Sequence, residues 1–216
     1  MPSSLALRIT RIETIPVAIL LERFRQTRLR GCGQPFIYAE AQLELLRDVD
    51  PRSLYPAQNY VLQADHQRLL ALYRAFLERG HDLFALEGGL HFWLQNEETG
   101  EEEGPIPLTP PVVELSLEAD GRTIPLINDG MHRVYTALRL QRTIHIIQVR
   151  NVPRQWPYYA YPLANGWEDV EELTELPADY VKKAYRDPDH YKDLFRDFNA
   201  LFPGIQKNRP RGRGLT

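Results

Sequence analysis

The chain has 216 residues, 43% of them hydrophobic and 25% charged, with a net charge of −3. A chain of this length buries roughly 70% of the surface its unfolded form exposes, so it can fold without covalent staples as one large domain, or as one with an appended subdomain. Ordinary composition excludes a disordered or fibrous chain, the acidic balance excludes attraction of the whole molecule to nucleic acid, and the single cysteine, Cys32, excludes an intramolecular disulfide and Cys/His zinc frameworks.

The first forty residues carry two apolar, β-branched stretches, Leu7–Ile12 and Thr14–Leu21, which predict strands or one long ribbon. No basic-then-apolar leader opens the chain, and the run Ile15 to Leu21 falls far short of a membrane span of ~20 residues. With one cysteine, the expectation is a cytoplasmic protein with no membrane partner. Arg23, Arg25, Arg28 and Arg30 lead into the turn Gly31-Cys32-Gly33, and a strand is expected over Phe36–Leu46, closed by Asp50-Pro51.

Ala64–Gly80 carries the clearest helical signal, with a stripe at Leu69, Leu70, Tyr73, Phe76 and Leu77, a candidate cap at Asp65 and a stop at Gly80. Leu83–Leu86 and Leu90–Leu94 flank Glu87-Gly88-Gly89 and predict a hairpin. Glu97, Glu98, Glu101, Glu102 and Glu103 predict a solvated loop tip, with a metal cluster as the outside alternative. Val112–Leu117 and Thr123–Asn128 flank Asp120-Gly121, a second hairpin. A short helix to about Gln141 and a strand at Thr143–Val149 complete a compact unit.

Beyond Pro153 the aromatic residues Trp156, Tyr158, Tyr159, Tyr161 and Trp167 crowd together; they are read chiefly as anchors and secondarily as a stacking surface for a base. Helices are expected at Glu168–Glu175, Ala178–Arg186 and His190–Leu201, forming a helical cap. Lys207, Arg209, Arg211 and Arg213 end the chain in a basic tail with Pro and Gly, which could touch nucleic acid phosphates.

The chemistry concentrates where the strand ending at Asn128 meets the helix starting near Met131. Gly130 permits an unusual φ and a close backbone approach. The first N–H groups of a helix lack intrahelical partners and carry partial positive charge, which suits an anion. Arg133 adds a fork of donors for phosphate oxygens, and His132 adds an acid/base group. Asp129 caps the helix, holds Mg²⁺, or serves as base toward an acceptor hydroxyl. A capped helix with a surface arginine is the plain alternative.

The segment from Ile127 to Leu138, with Asp129-Gly130-Met131-His132-Arg133 at its centre, resembles the Gly-x-x-Arg box of the ParB/sulfiredoxin superfamily. The order of elements agrees from Leu43 to Val152, with Asp48–Leu54 as the leading strand. The resemblance implies an α+β fold: a ParB/sulfiredoxin-like mixed sheet with short helices, extended here by the helical segment. It also implies that Gly130, Met131, His132 and Arg133 bind the phosphates of ATP, ADP or CTP with Mg²⁺. The expected organisation is an N-terminal β extension over 1–40, a nucleotide-binding core over 41–152, the helical cap over 153–205 and the tail over 206–216.

Members of the superfamily differ in the chemistry they attach to this box. Sulfiredoxins place a working cysteine where this chain has Met131, and Cys32 lies far away in sequence, so sulfinate reduction is not expected. ParB partition proteins carry a Glu-Arg-Arg variant of the box and a helix-turn-helix, neither of which is read here. Free-serine kinases have an Asp-Gly-His-His-Arg box, the nearest match, but their catalytic glutamate corresponds to Gln58, which takes no proton as a carboxylate does. The leading expectation is a phosphotransferase acting on a small-molecule or protein hydroxyl, with Asp129 and His132 as catalytic groups and Asp129 as the magnesium ligand. The alternatives are a nucleotide-gated module without catalysis and a nucleic-acid-processing protein using its tail. Glu44, Asp48, His66 and His190 are read as surface residues and Tyr135 as core.

Overall fold

The computed structural model describes residues 7–96 and 99–205. Strand β1 (Leu7–Pro16) runs into helix α1 (Val17–Phe24), followed by β2 (Arg28–Leu29), β3 (Gln42–Val49), β4 (Tyr60–Leu62) and α2 (Gln63–Glu78). Next come β5 (Gly88–Asn96), β6 (Glu102–Leu108), β7 (Val112–Leu117), β8 (Thr123–Asp129), α3 (Met131–Arg139) and β9 (Ile144–Arg150). Strands β10 (Glu171–Leu173) and β11 (Arg196–Asp197) lie among 3-10 turns at Gly166–Asp169, Tyr191–Leu194 and Phe198–Leu201. The class is α+β.

The central sheet has the order β3-β9-β7-β8 and is mixed: β9 runs antiparallel to β3 and parallel to β7, while β7 and β8 form a hairpin. Six of the seven β9 residues are buried, as a strand covered on both faces requires. Ile147 and Val149 meet Leu20, Phe24, Leu201 and Phe202, whereas Ile144 and Ile146 meet Val134, Ala137 and Phe84. A second sheet, β1-β5-β6, is closed by α2 through Phe76, Leu83, Leu90 and Phe92.

Several elements differ from expectation, each for a local reason. The apolar stretch Thr14–Leu21 divides at Pro16: the strand ends there and α1 begins, burying Leu20 and Phe24 at helical spacing. The strand expected at Phe36–Leu46 starts only at Gln42, because Ile37, Tyr38 and Ala41 are buried as loop residues. The leading strand expected at Asp48–Leu54 is instead the end of β3 and a 3-10 turn at Pro51–Ser53, whose start is capped by Asp50 accepting from the Arg52 N–H at 2.9 Å.

Helix α2 has no side-chain cap, so Asp65 sits in its first turn without capping it. Its buried stripe uses Leu72 and Ala75 and leaves Leu77 exposed. Leu83–Leu86 form a turn and not a strand; β5 pairs with β1 and β6. A side chain at Gly88 would stand 2.3 Å from the Ile15 carbonyl oxygen, so glycine permits that close pairing. Glu101 to Glu103 lie exposed around the start of β6; Glu97 and Glu98 fall outside the described residues.

The expected C-terminal helices are absent among the described residues, where 153–205 holds 3-10 turns and two short strands. Prolines at 153, 157, 162, 177, 188 and 203 interrupt the segment and disfavour continuous helix. β10 instead adds to β4 in parallel, and β11 pairs with β2.

Candidate functional site

The β7–β8 hairpin places Val112 opposite Asp129, so the chain leaves β8 beside Pro111 and enters α3 at once. Gly130 makes that corner with φ 84° and ψ 18°, a left-handed conformation in which other residues are strained. A Cβ there would lie 2.9 Å from Pro111 Cβ and 2.9 Å from Arg133 Nη2. Both the twist and the tight packing therefore require glycine.

Four residues of the expected box converge on this corner. The N–H groups of Arg133 and Val134 donate to the Gly130 carbonyl at 2.9 and 3.1 Å. Those of Met131 and His132 have no acceptor among the described residues, and so form the free donor pair at the helix start. Met131 itself packs partly against the Leu54, Phe84 and Val113 cluster.

Arg133 is buried beneath the turn. Its Nη1 donates to the Thr109 carbonyl, and its Nη2 stands 3.7 Å from Asp129 Oδ2. Burial lowers its pKa, and the Asp129 charge works in the opposite direction. The guanidinium thus joins the loop before β7 to the start of α3 and places its charge behind Gly130. Asp129 is half-exposed at the rim.

His132 is half-buried, and its Nε2 lies 4.0 Å from Asp65 Oδ2 without a hydrogen bond. Burial lowers its pKa, Asp65 and Asp129 oppose that shift, and His66 adds to it. The cluster therefore joins the start of α2 to the start of α3. His66, expected on the surface, is half-buried with its ring edge-on to Tyr135 at 5.5 Å between centroids, and burial lowers its pKa too. Tyr135 is a core residue as expected; its hydroxyl donates to Glu172 Oε1 at 2.6 Å, and burial followed by that carboxylate pushes its pKa up to about 12.

Asp65, His66, Thr109 and Glu172 are the members of this site that sequence reasoning missed. Asp65-His66 opens a helix far from the box in sequence, and Glu172 arrives on β10 from a stretch expected to be helical, so no spacing flagged them.

The remaining candidates lie elsewhere. Gln58 donates through Nε2 to the Tyr60 carbonyl at 2.8 Å. Glu44 stands 3.7 Å from Arg150, and Asp48, with φ 52°, stands 3.8 Å from His145. His190 is exposed beside Asp187, and Cys32 is exposed. Within the aromatic group Tyr158 acts as an anchor, fully buried with Tyr159 against it at 4.3 Å, whereas Tyr161 is exposed. Lys207, Arg209, Arg211 and Arg213 lie outside the described residues.

Among the described residues no three Asp, Glu, His or Cys side chains are grouped to hold a metal ion. No helix there is long and apolar enough to cross a membrane. Neither a curated protein nor a solved structure gives a significant match to the chain. The family model described as the ParB CE domain matches residues 19–171, well over half of the chain, and the chain belongs to that family.

Proposed function

We propose that this protein binds a nucleotide, seating its phosphates on the free N–H groups of Met131 and His132 at the Gly130 corner. The observation that carries the reading is this corner: a left-handed glycine opens a helix whose first donors are unpaired, with the buried charge of Arg133 directly behind it. Membership in the ParB CE domain family supports a ParB-type protein related to nucleotides or nucleic acid. ATP, ADP and CTP are the candidate ligands.

In the catalytic form of this proposal the protein transfers a phosphoryl group to a hydroxyl of a small molecule or a protein. His132, kept unprotonated by burial, takes the hydroxyl proton as the acceptor oxygen bonds to the terminal phosphorus and the shortened nucleotide leaves. The donor set fits Mg²⁺ only with help from the ligand. Asp129 offers one carboxylate, and phosphates with water would complete the shell, as this ion prefers. The ion would neutralise charge on the transferring group.

A second reading, nucleotide-gated binding without turnover, draws on Gln58. It is an amide where the kinase-like members place a carboxylate, and it is bound to the Tyr60 carbonyl.

Thermal melting of the whole protein with ATP, ADP, CTP and GTP, each with and without Mg²⁺, tests the shared claim. A ligand at about 100 times its Kd stabilises by about 2.7 kcal/mol, a readily measured shift. No shift with any of the four would sink both readings. Nucleoside diphosphate release that Asp129→Asn and His132→Gln abolish supports the transferase, and a melting shift without turnover supports the gated module.

A further inference from the structure

The register of the central sheet leaves part of one strand edge uncovered. β9 matches β7 only from Val112↔Ile147 to Glu114↔Val149, and then Asn151, with φ 60°, turns the chain away. On its other side β7 stays paired with β8 as far as Leu117↔Thr123, and the Glu118 N–H donates to the Arg122 carbonyl at 2.8 Å. Antiparallel pairs alternate in the direction of their hydrogen bonds, so Leu117 turns its N–H and C=O toward the uncovered edge.

A half-open cleft of about 560 Å³ lies along that edge, bordered by Leu115, Leu117, Arg150, Arg154 and Trp156. Its residual charge is positive. Of the two carboxylates that border it, Glu114 is held by Arg196 at 2.8 Å through both oxygens, and Glu118 by Arg186 at 2.7 and 2.9 Å. Arg150 has only the exposed Glu44 at 3.7 Å as a counter-charge, and Arg154 has no ion pair or hydrogen bond among the described residues. Leu117 is 43% exposed and Trp156 is half-buried, and both border the cleft.

We propose that this cleft docks an extended, acidic peptide segment of a partner protein, which adds a strand to the open edge of β7. The guest's backbone bonds to Leu117, its carboxylates meet Arg154 and Arg150, and an apolar side chain fills the space between Leu117 and Trp156. Main-chain pairing supplies affinity in such strand addition, and the side chains on alternate positions supply selectivity. The cleft lies at the hairpin end of β7, whereas Gly130 lies at the end where Val112 begins. The five steps along β7 from Val112 to Leu117 span roughly 17 Å, so this docking is independent of the nucleotide reading.

Fluorescence polarisation of the whole protein with a labelled peptide of alternating aspartate and valine tests the proposal, with a lysine–valine peptide as counterpart. The acidic peptide saturates and the basic one does not. Arg154→Glu, at an exposed position, weakens binding by about tenfold or more while the melting temperature stays unchanged. The same acidic peptide N-methylated on alternate amides loses strand pairing and binds at least as weakly, and hydrogen exchange at the Leu117 amide slows only with the unmethylated peptide. Equal binding of the acidic and basic peptides, or an Arg154→Glu variant that binds as before, overturns the proposal. Equal binding of the methylated peptide overturns strand addition and leaves a site for small acidic ligands.

Discussion

Arg196 grips Glu114 through two parallel bonds, Nε to Oε1 and Nη2 to Oε2, each 2.8 Å long, with both side chains buried. The Tyr38 hydroxyl donates to the same carboxylate, and Asn128 Nδ2 reaches Tyr38 at 2.8 Å and Glu114 at 2.5 Å. Arg196 also donates to the carbonyls of Trp156, Pro157 and Leu194. The C-terminal segment, the N-terminal segment and the strand that delivers the Gly130 corner are thus joined at one buried charge pair. Burial first, and then the Glu114 charge, hold the Tyr38 hydroxyl well above its usual pKa, so it stays a donor.

Removing one member of that pair leaves the other charged and unpaired in a dry interior. Arg196→Met is expected to cost about 3–5 kcal/mol in chemical denaturation. The double variant Arg196→Met/Glu114→Leu recovers at least half of that loss, because the stranded charge is gone. A double variant no more stable than the single one contradicts this explanation.

Gly130→Ala meets two penalties at once. The left-handed backbone costs an alanine about 1–2 kcal/mol, and the new methyl collides with Pro111 and displaces the Arg133 guanidinium. A loss of about 2 kcal/mol or more in urea denaturation is expected, together with loss of any nucleotide-induced melting shift. Unchanged stability would show that the corner relaxes freely.

Burial holds the folded-state pKa of His132 below its ordinary value, so the unfolded chain takes up the proton first as pH falls. Its contribution is complete above the unfolded pKa of about 6.5 and is lost as pH drops from there toward the folded value. His66 and His91 shift in the same direction by burial and add to the effect. Melting temperatures from pH 7.5 to 5 should fall for the wild type, and His132→Asn should flatten that fall. An equally steep profile for the variant assigns the effect to other groups.

Tyr135 ties α3 to β10 by its bond to Glu172. Tyr135→Phe removes one hydrogen bond to a partly exposed carboxylate, at a cost of about 1 kcal/mol. Trp167 lies against Tyr135 with 6.1 Å between ring centroids, so its fluorescence reports the same docking. A shift of the emission maximum to longer wavelength is expected in the variant. A spectrum identical to wild type would mean that β10 is held by other contacts.

The local patterns carried much of the central sheet. The turn signal Asp120-Gly121 between Val112–Leu117 and Thr123–Asn128, the glycine before Met131 and the β-branched stretch Thr143–Val149 each specify a local conformation that neighbours reinforce. The resemblance at Asp129 to Arg133 led to the ParB family, as the match over residues 19–171 bears out. Partners distant in sequence carry no such local mark. Leu83–Leu86 failed as a strand because the partner of β5 is β1, some eighty residues earlier, and the C-terminal segment failed as a helix because prolines interrupt it.

By itself, then, the chain's order of residues determined where a glycine corner opens a helix, since φ preference and hydrophobic period act over a few neighbours. Only tertiary packing decided that Arg133 faces the Thr109 carbonyl, that Asp65 and His66 stand beside His132, and that Arg196 neutralises Glu114. Desolvation and charge pairing depend on which side chains the fold brings together, and that information is spread over the whole chain.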